Sequence, residues 1–74
     1  MDEFLDLTGL KCPLPALMAR RRLSGLPPGA TVIVLTSDPL AVVDIPHMCS
    51  EEGHAVESVA SEGGKSRFRI RRKA

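Results

Sequence analysis

Tryptophan and tyrosine are absent from the 74 residues, and phenylalanine occurs only as Phe4 and Phe68. Stacking of bases on aromatic platforms is therefore nearly excluded, and the core must be aliphatic. Cysteine is scarce too, with Cys12 and Cys49 alone. A small secreted scaffold of this size usually holds several disulfides, so reduced thiols, reactive or buried, are expected. No sign of charge dominates: ten Lys and Arg against nine Asp and Glu leave a formal charge of +1. That balance argues against strong nonspecific nucleic-acid binding and against an acidic tail. The opening Met1-Asp2-Glu3-Phe4-Leu5 is acidic rather than basic, and no apolar run is long enough for a signal peptide or a membrane helix. A cytoplasmic location without membrane contact is the expectation.

What is present suffices for a fold. Hydrophobic residues make up 43% of the chain, too many for disorder, and the length fits one small domain spanning residues 1–74. Leu5 and Leu7 alternate with Asp6 and Thr8 as in a half-buried strand, after which Gly9 lets the chain turn. From Pro13 to about Ser24, Ala16, Ala19, Leu23 and Leu26 recur at helical spacing, and Gly25 with Pro27-Pro28-Gly29 stops the helix. Thr31 to Thr36 is a β-branched run suited to a central strand with little solvent on either side. Ser37-Asp38-Pro39 then resembles a helix start, with Val42, Ile45 and Cys49 on one face and Ala41 and Met48 at its edge. Pro46 should kink this second helix or force an overlap of two short turns, and Gly53 should end it. His54 to Ala60 and Ser66 to Arg72 flank Glu62-Gly63-Gly64-Lys65 and read as a hairpin. The order β-α-β-α-β-β predicts an α+β fold in which a mixed sheet carries both helices on one face.

Cys12 is the residue most suited to chemistry. In Lys11-Cys12-Pro13-Leu14-Pro15 the two prolines are tolerated only in the first turn of a helix, which puts Cys12 at or next to the N-cap. Helix N–H groups, the positive end of the macrodipole and the charge of Lys11 would all favour its thiolate. No partner acid or base is evident from the sequence, and neither His47 nor His54 can be set beside it. Acyl transfer would need such a base and an oxyanion site, whereas a preformed thiolate exchanges sulfur without either. Sulfur exchange is therefore the economical chemistry.

The spaced residues Leu5-Asp6, Gly9, Cys12-Pro13-Leu14-Pro15, Pro28-Gly29, Asp38-Pro39, Asp44-Ile45-Pro46, Cys49 and Gly53-His54 carry a resemblance. Through them nearly the whole chain resembles the TusA/SirA-like family of small sulfur carrier proteins. The resemblance implies a two-layer sandwich of a four-stranded mixed sheet and two helices, similar to the C-terminal domain of translation initiation factor three. It also implies a sulfurtransferase of the carrier type, with little turnover in the absence of partner proteins. A cysteine desulfurase or rhodanese would load a sulfane sulfur as a persulfide on Cys12, and a downstream protein would accept it. Destinations in the family include tRNA thiolation, molybdenum cofactor synthesis and sulfur oxidation. No cofactor is implied, because the sulfur travels on the protein itself. Lys11 would support the thiolate, while Asp6, Gly9, Pro13 and Pro15 would shape the loop. Val43 stands where the tRNA thiolation branch tends to carry a basic residue, a departure that bears on the destination and not on Cys12.

Other features have weaker claims. Leu14, Leu17 and Met18 lie on the side of the first helix away from Ala16, Ala19 and Leu23, with Arg21 among them; Leu14, Met18 and Arg21 make a candidate docking face next to Cys12. Cys49 belongs to the core, although a thiol switch with Cys12 is a rival use. The spacing of Cys12, His47, Cys49 and His54 fits no familiar metal site, and none is expected. Asp6, Asp38 and Asp44 cannot be brought together as a carboxylate pair from the sequence. Arg67, Arg69 and Arg71 alternate with Phe68 and Ile70. Their face is either solvated or the contact surface of a noncatalytic module that binds RNA or an acidic protein, the alternative function.

Overall fold

Four strands, Glu3–Asp6 (β1), Thr31–Thr36 (β2), Ala55–Glu62 (β3) and Lys65–Arg71 (β4), pair in the order β1-β2-β4-β3. The structure is a computed structural model and describes residues 3–74; Met1 and Asp2, the start of the acidic opening run, lie outside it. β1 runs parallel to β2, while β4 is antiparallel to both of its neighbours. Parallel neighbours need a crossover, and the helix Leu14–Ser24 (α1) supplies it between β1 and β2. A second helix, Ala41–Glu52 (α2), joins β2 to β3. The expected α+β fold, a four-stranded mixed sheet with both helices on one face, is the one observed.

Alternation along the strands aims Val32, Val34, Phe68 and Ile70 at the helices, where Leu7, Ala19, Leu23, Ala41, Ile45, Met48 and Cys49 meet them in one cluster. Each fully buried Leu or Ile contributes roughly 1.5–3 kcal/mol from burial. Among the described residues, no helix covers the other sheet face. Ile33 and Leu35 are therefore only half-buried, against the expectation that β2 meets little solvent on either side. The reason is plain from the layering: with both helices on one face, the outward residues of a central strand face solvent.

Local chemistry explains the boundaries. α1 begins at Leu14 rather than Pro13; Pro13 is its N-cap and Pro15 sits in the first turn, where it is buried with Ala19 and Leu23. α2 passes through Pro46 as one helix instead of splitting. The carbonyl that Pro46 leaves without a helix bond belongs to Val42, a residue on the exposed side of α2. Val42 was expected on the core face; Ala41, Ile45, Met48 and Cys49 form that face in the structure. Gly53 ends the helix at φ 83°, with the His54 N–H donating to the Cys49 carbonyl at 2.8 Å. The hairpin turn is only Gly63-Gly64, both at positive φ (57° and 77°), while Glu62 and Lys65 are already paired across the strands. A two-residue turn of this kind follows the strand twist without splaying it.

Candidate functional site at the start of α1

Because β1 and β2 are parallel neighbours, the loops that leave their carboxyl ends lie side by side. The first loop opens with Asp6, whose Oδ1 accepts the Thr8 N–H at 3.0 Å and the Thr8 hydroxyl at 2.7 Å. These bonds, the hydroxyl's foremost, hold the Asp6 carboxyl below the usual carboxylate range. Gly9 follows at φ 87° with nothing near its missing Cβ, so backbone conformation rather than space requires glycine there. The two loops are then stitched together. The Gly9 N–H donates to Ser37 Oγ at 2.8 Å, and the Cys12 N–H donates to Asp38 Oδ2 at 2.6 Å. Asp38 Oδ1 accepts the Leu40 N–H at 3.3 Å just before α2.

Cys12 precedes the Pro13 N-cap, is exposed, and is joined to Pro13 by a cis peptide bond. Its thiol donates to Asp44 Oδ2 at 2.8 Å. This contact overturns the expected electrostatics. The hydrogen bond to Asp44 raises the thiol above its ordinary range, helped by partial desolvation and by the negative charges of Asp44 and Asp38. Lys11 is exposed and uses its carbonyl to accept the Leu14 N–H at 2.8 Å. In the free protein this setting favours the thiol form of Cys12 over the thiolate, the opposite of the direction expected from the helix terminus and Lys11. Asp38 and Asp44, which the sequence could not bring together, converge on one residue.

Cys12 opens into a groove of about 370 Å³ between α1 and α2, lined also by Ala16, Leu17, Arg20, Asp44 and His47. On the outer side of α1, Leu14, Leu17 and Met18 are 46%, 47% and 41% exposed, and Arg21 is exposed with them. The apolar outer face read from the helical projection is thus present, and it starts two residues from the thiol.

The family model for sulfurtransferase TusA matches residues 3–72. This chain belongs to the TusA family. Over all 74 residues it is 38% identical to the sulfur carrier protein TusA of Pseudomonas paraeruginosa and equally to that of Pseudomonas aeruginosa, covering 94% of each. The crystal structure of a SirA-like protein from Desulfitobacterium hafniense superimposes with a TM-score of 0.83 at 24% identity, covering 100% of both chains, and shows the same fold.

The remaining side chains of this TusA family member divide clearly. Cys49 is buried on the core face of α2, where burial pushes its thiol up to about 11. No group of three or more His, Cys, Asp or Glu among the described residues could hold a metal ion. His47 pairs with Glu51 at 2.9 Å on the surface of α2. His54 accepts the Lys73 N–H on Nδ1 at 3.1 Å; partial burial, with Lys73 and Arg72 nearby, lowers its pKa. On the open sheet face Glu57 takes Arg69 Nε at 3.1 Å and Arg71 Nε at 2.7 Å, and Arg71 also reaches the Gly29 carbonyl at 3.0 Å. The arginine row is therefore partly neutralised rather than free to track a phosphate backbone. Asp38 and Asp44 are the site residues that sequence reasoning missed. The signal was available: a βαβ crossover puts the residues after both parallel strands at one sheet end.

Proposed function

We propose that this single domain, residues 1–74, is a cytoplasmic sulfur carrier. It takes a sulfane sulfur as a persulfide on Cys12 from a cysteine desulfurase or a rhodanese and relays it to an acceptor protein in tRNA thiolation, molybdenum cofactor synthesis or another branch of sulfur metabolism. The observation that carries this reading is an exposed thiol on a braced loop at the mouth of an open groove, in a chain of the TusA family. A relay sulfur must be reachable at two docking events, and this one projects from the surface. Cys49, buried and inert, would take no part. After incubation with a cysteine desulfurase and cysteine, mass spectrometry should find about 32 Da, one sulfur, on the peptide containing Cys12. The same mass on Cys49, or on neither peptide, refutes the assignment.

Leu14, Met18 and Arg21 serve as the docking face in this reading, since an apolar patch with a cation at its rim suits a partner that approaches the adjacent thiol. Met18→Glu places a charge in the middle of that patch. Uptake from the donor should slow about tenfold, the effect of losing one contact residue worth about 1.4 kcal/mol. Alkylation of Cys12 by a small reagent should be unchanged. Transfer rates unaltered with every donor would remove the docking role.

A further inference from the structure

The Cys12 proton has an acceptor held in place before any partner arrives. Asp44 reaches Sγ from the first turn of α2, and Asp38 fixes the Cys12 backbone from the preceding loop. With Gly9 tied to Ser37 as well, the loop is fastened at two points, so the thiol and the carboxylate are held within 2.8 Å by architecture rather than by a chance side-chain position. The other charged groups around the sulfur are Lys11 in its own loop, Arg20 from α1 and His47 from α2, with Glu51 and Glu52 farther along the groove. Among the described residues, Asp44 is the side chain in hydrogen-bond contact with Sγ.

We propose that Asp44 is the proton gate of the carrier: it holds the thiol proton while no donor is bound and accepts that proton as Sγ attacks the donor persulfide. The inference rests on the persulfide reading of Cys12. In the step, an Sγ electron pair attacks the outer sulfur of R–S–S–H and forms the new S–S bond. The donor's S–S bond breaks, and its electron pair stays on the donor sulfur. The Sγ proton moves to Asp44 Oδ2 and from there to the departing donor thiolate. Cys12–S–H and R–S–S–H thus become Cys12–S–S–H and R–S–H, with no net oxidation and no further reactant. Delivery to an acceptor thiol reverses these roles.

The arrangement also has a consequence for the idle protein. Only a thiolate attacks disulfides and electrophiles at a useful rate, so a thiol held protonated resists adventitious chemistry. Reaction awaits a partner whose docking brings the sulfane sulfur into line.

Asp44→Asn, nearly the same size and uncharged, separates the two roles when alkylation and sulfur uptake are read together. The iodoacetamide pH profile of the free variant should move to lower pH. Its rate near neutrality should rise about tenfold for each unit of that displacement. Single-turnover uptake from a persulfidated cysteine desulfurase should nevertheless fall about 10²-fold, the lower end of what a positioned proton acceptor supplies. Asp44→Glu keeps the charge and should recover part of the uptake, which guards against a folding defect in the first variant. A profile that superimposes on the wild type overturns the proposal. So does uptake that rises in step with alkylation, because Asp44 would then only suppress the thiolate. A wild-type chain that takes up no sulfur refutes the persulfide reading instead, and the alkylation profile still decides whether Asp44 holds the proton.

Discussion

Cys12→Ser is expected to abolish sulfur uptake completely while leaving the fold intact. A hydroxyl at this position can still donate to Asp44, and the Cys12 N–H bond to Asp38 involves only backbone. The side chain is exposed, so nothing in the core depends on it. What disappears is the polarisable nucleophile that attacks sulfane sulfur. The melting temperature should match the wild type, and incubation with a cysteine desulfurase and cysteine should add no mass to the variant. A module that works instead through Arg67, Arg69 and Arg71 predicts the opposite pattern: full activity in Cys12→Ser and steep loss with salt. Retained sulfur uptake on Cys49 would refute the carrier reading outright, since that thiol lies within the core.

The fold was largely legible because its signals are local. Gly25 and Pro27-Pro28-Gly29, the β-branched run from Thr31 to Thr36, and Gly63-Gly64 each mark a boundary through backbone preferences that do not depend on distant residues. The errors fall where tertiary context decides. Val42 and Ile45 both fit an apolar helix face, but only packing into the core cluster shows that Ala41 and not Val42 turns inward. Pro46 was expected to kink the helix or to force an overlap of two short turns, and the helix runs on through it, since a proline inside a helix can bend it without ending it. For the site, the placement of Cys12 beside the N-cap followed from its prolines, but its electrostatics did not. The helix terminus and Lys11 are sequence neighbours and were visible. Asp38 and Asp44 lie 26 and 32 residues away, and they favour the protonated form of the sulfur.

Phe68→Ala should be the most damaging core substitution, and its consequences reach the site. Phe68 lies in β4, an interior strand of the sheet, opposite Val34 on one side and Val59 on the other, and it is fully buried. It is the only aromatic in an otherwise aliphatic core and the largest of the fully buried side chains. Truncating a buried Phe costs about 3–5 kcal/mol, while a chain of this length has roughly 4–11 kcal/mol in total. The variant should therefore be largely unfolded well below the wild-type melting temperature. With no Trp or Tyr to report by fluorescence, far-UV circular dichroism during urea titration is the appropriate measurement. Phe68→Leu, which retains most of the buried surface, should lose less than half as much. A loss below about 1 kcal/mol for Phe68→Ala would mean that the helices do not close over this strand as described. The same variant tests how the site is made. Unfolding separates Asp44 from Cys12, so the thiol should return to its ordinary ionisation and alkylate faster, even as the docking face disperses and sulfur uptake is lost. A restrained thiol together with a competent carrier is a property of the assembled fold and not of the Lys11-Cys12-Pro13-Leu14-Pro15 segment alone.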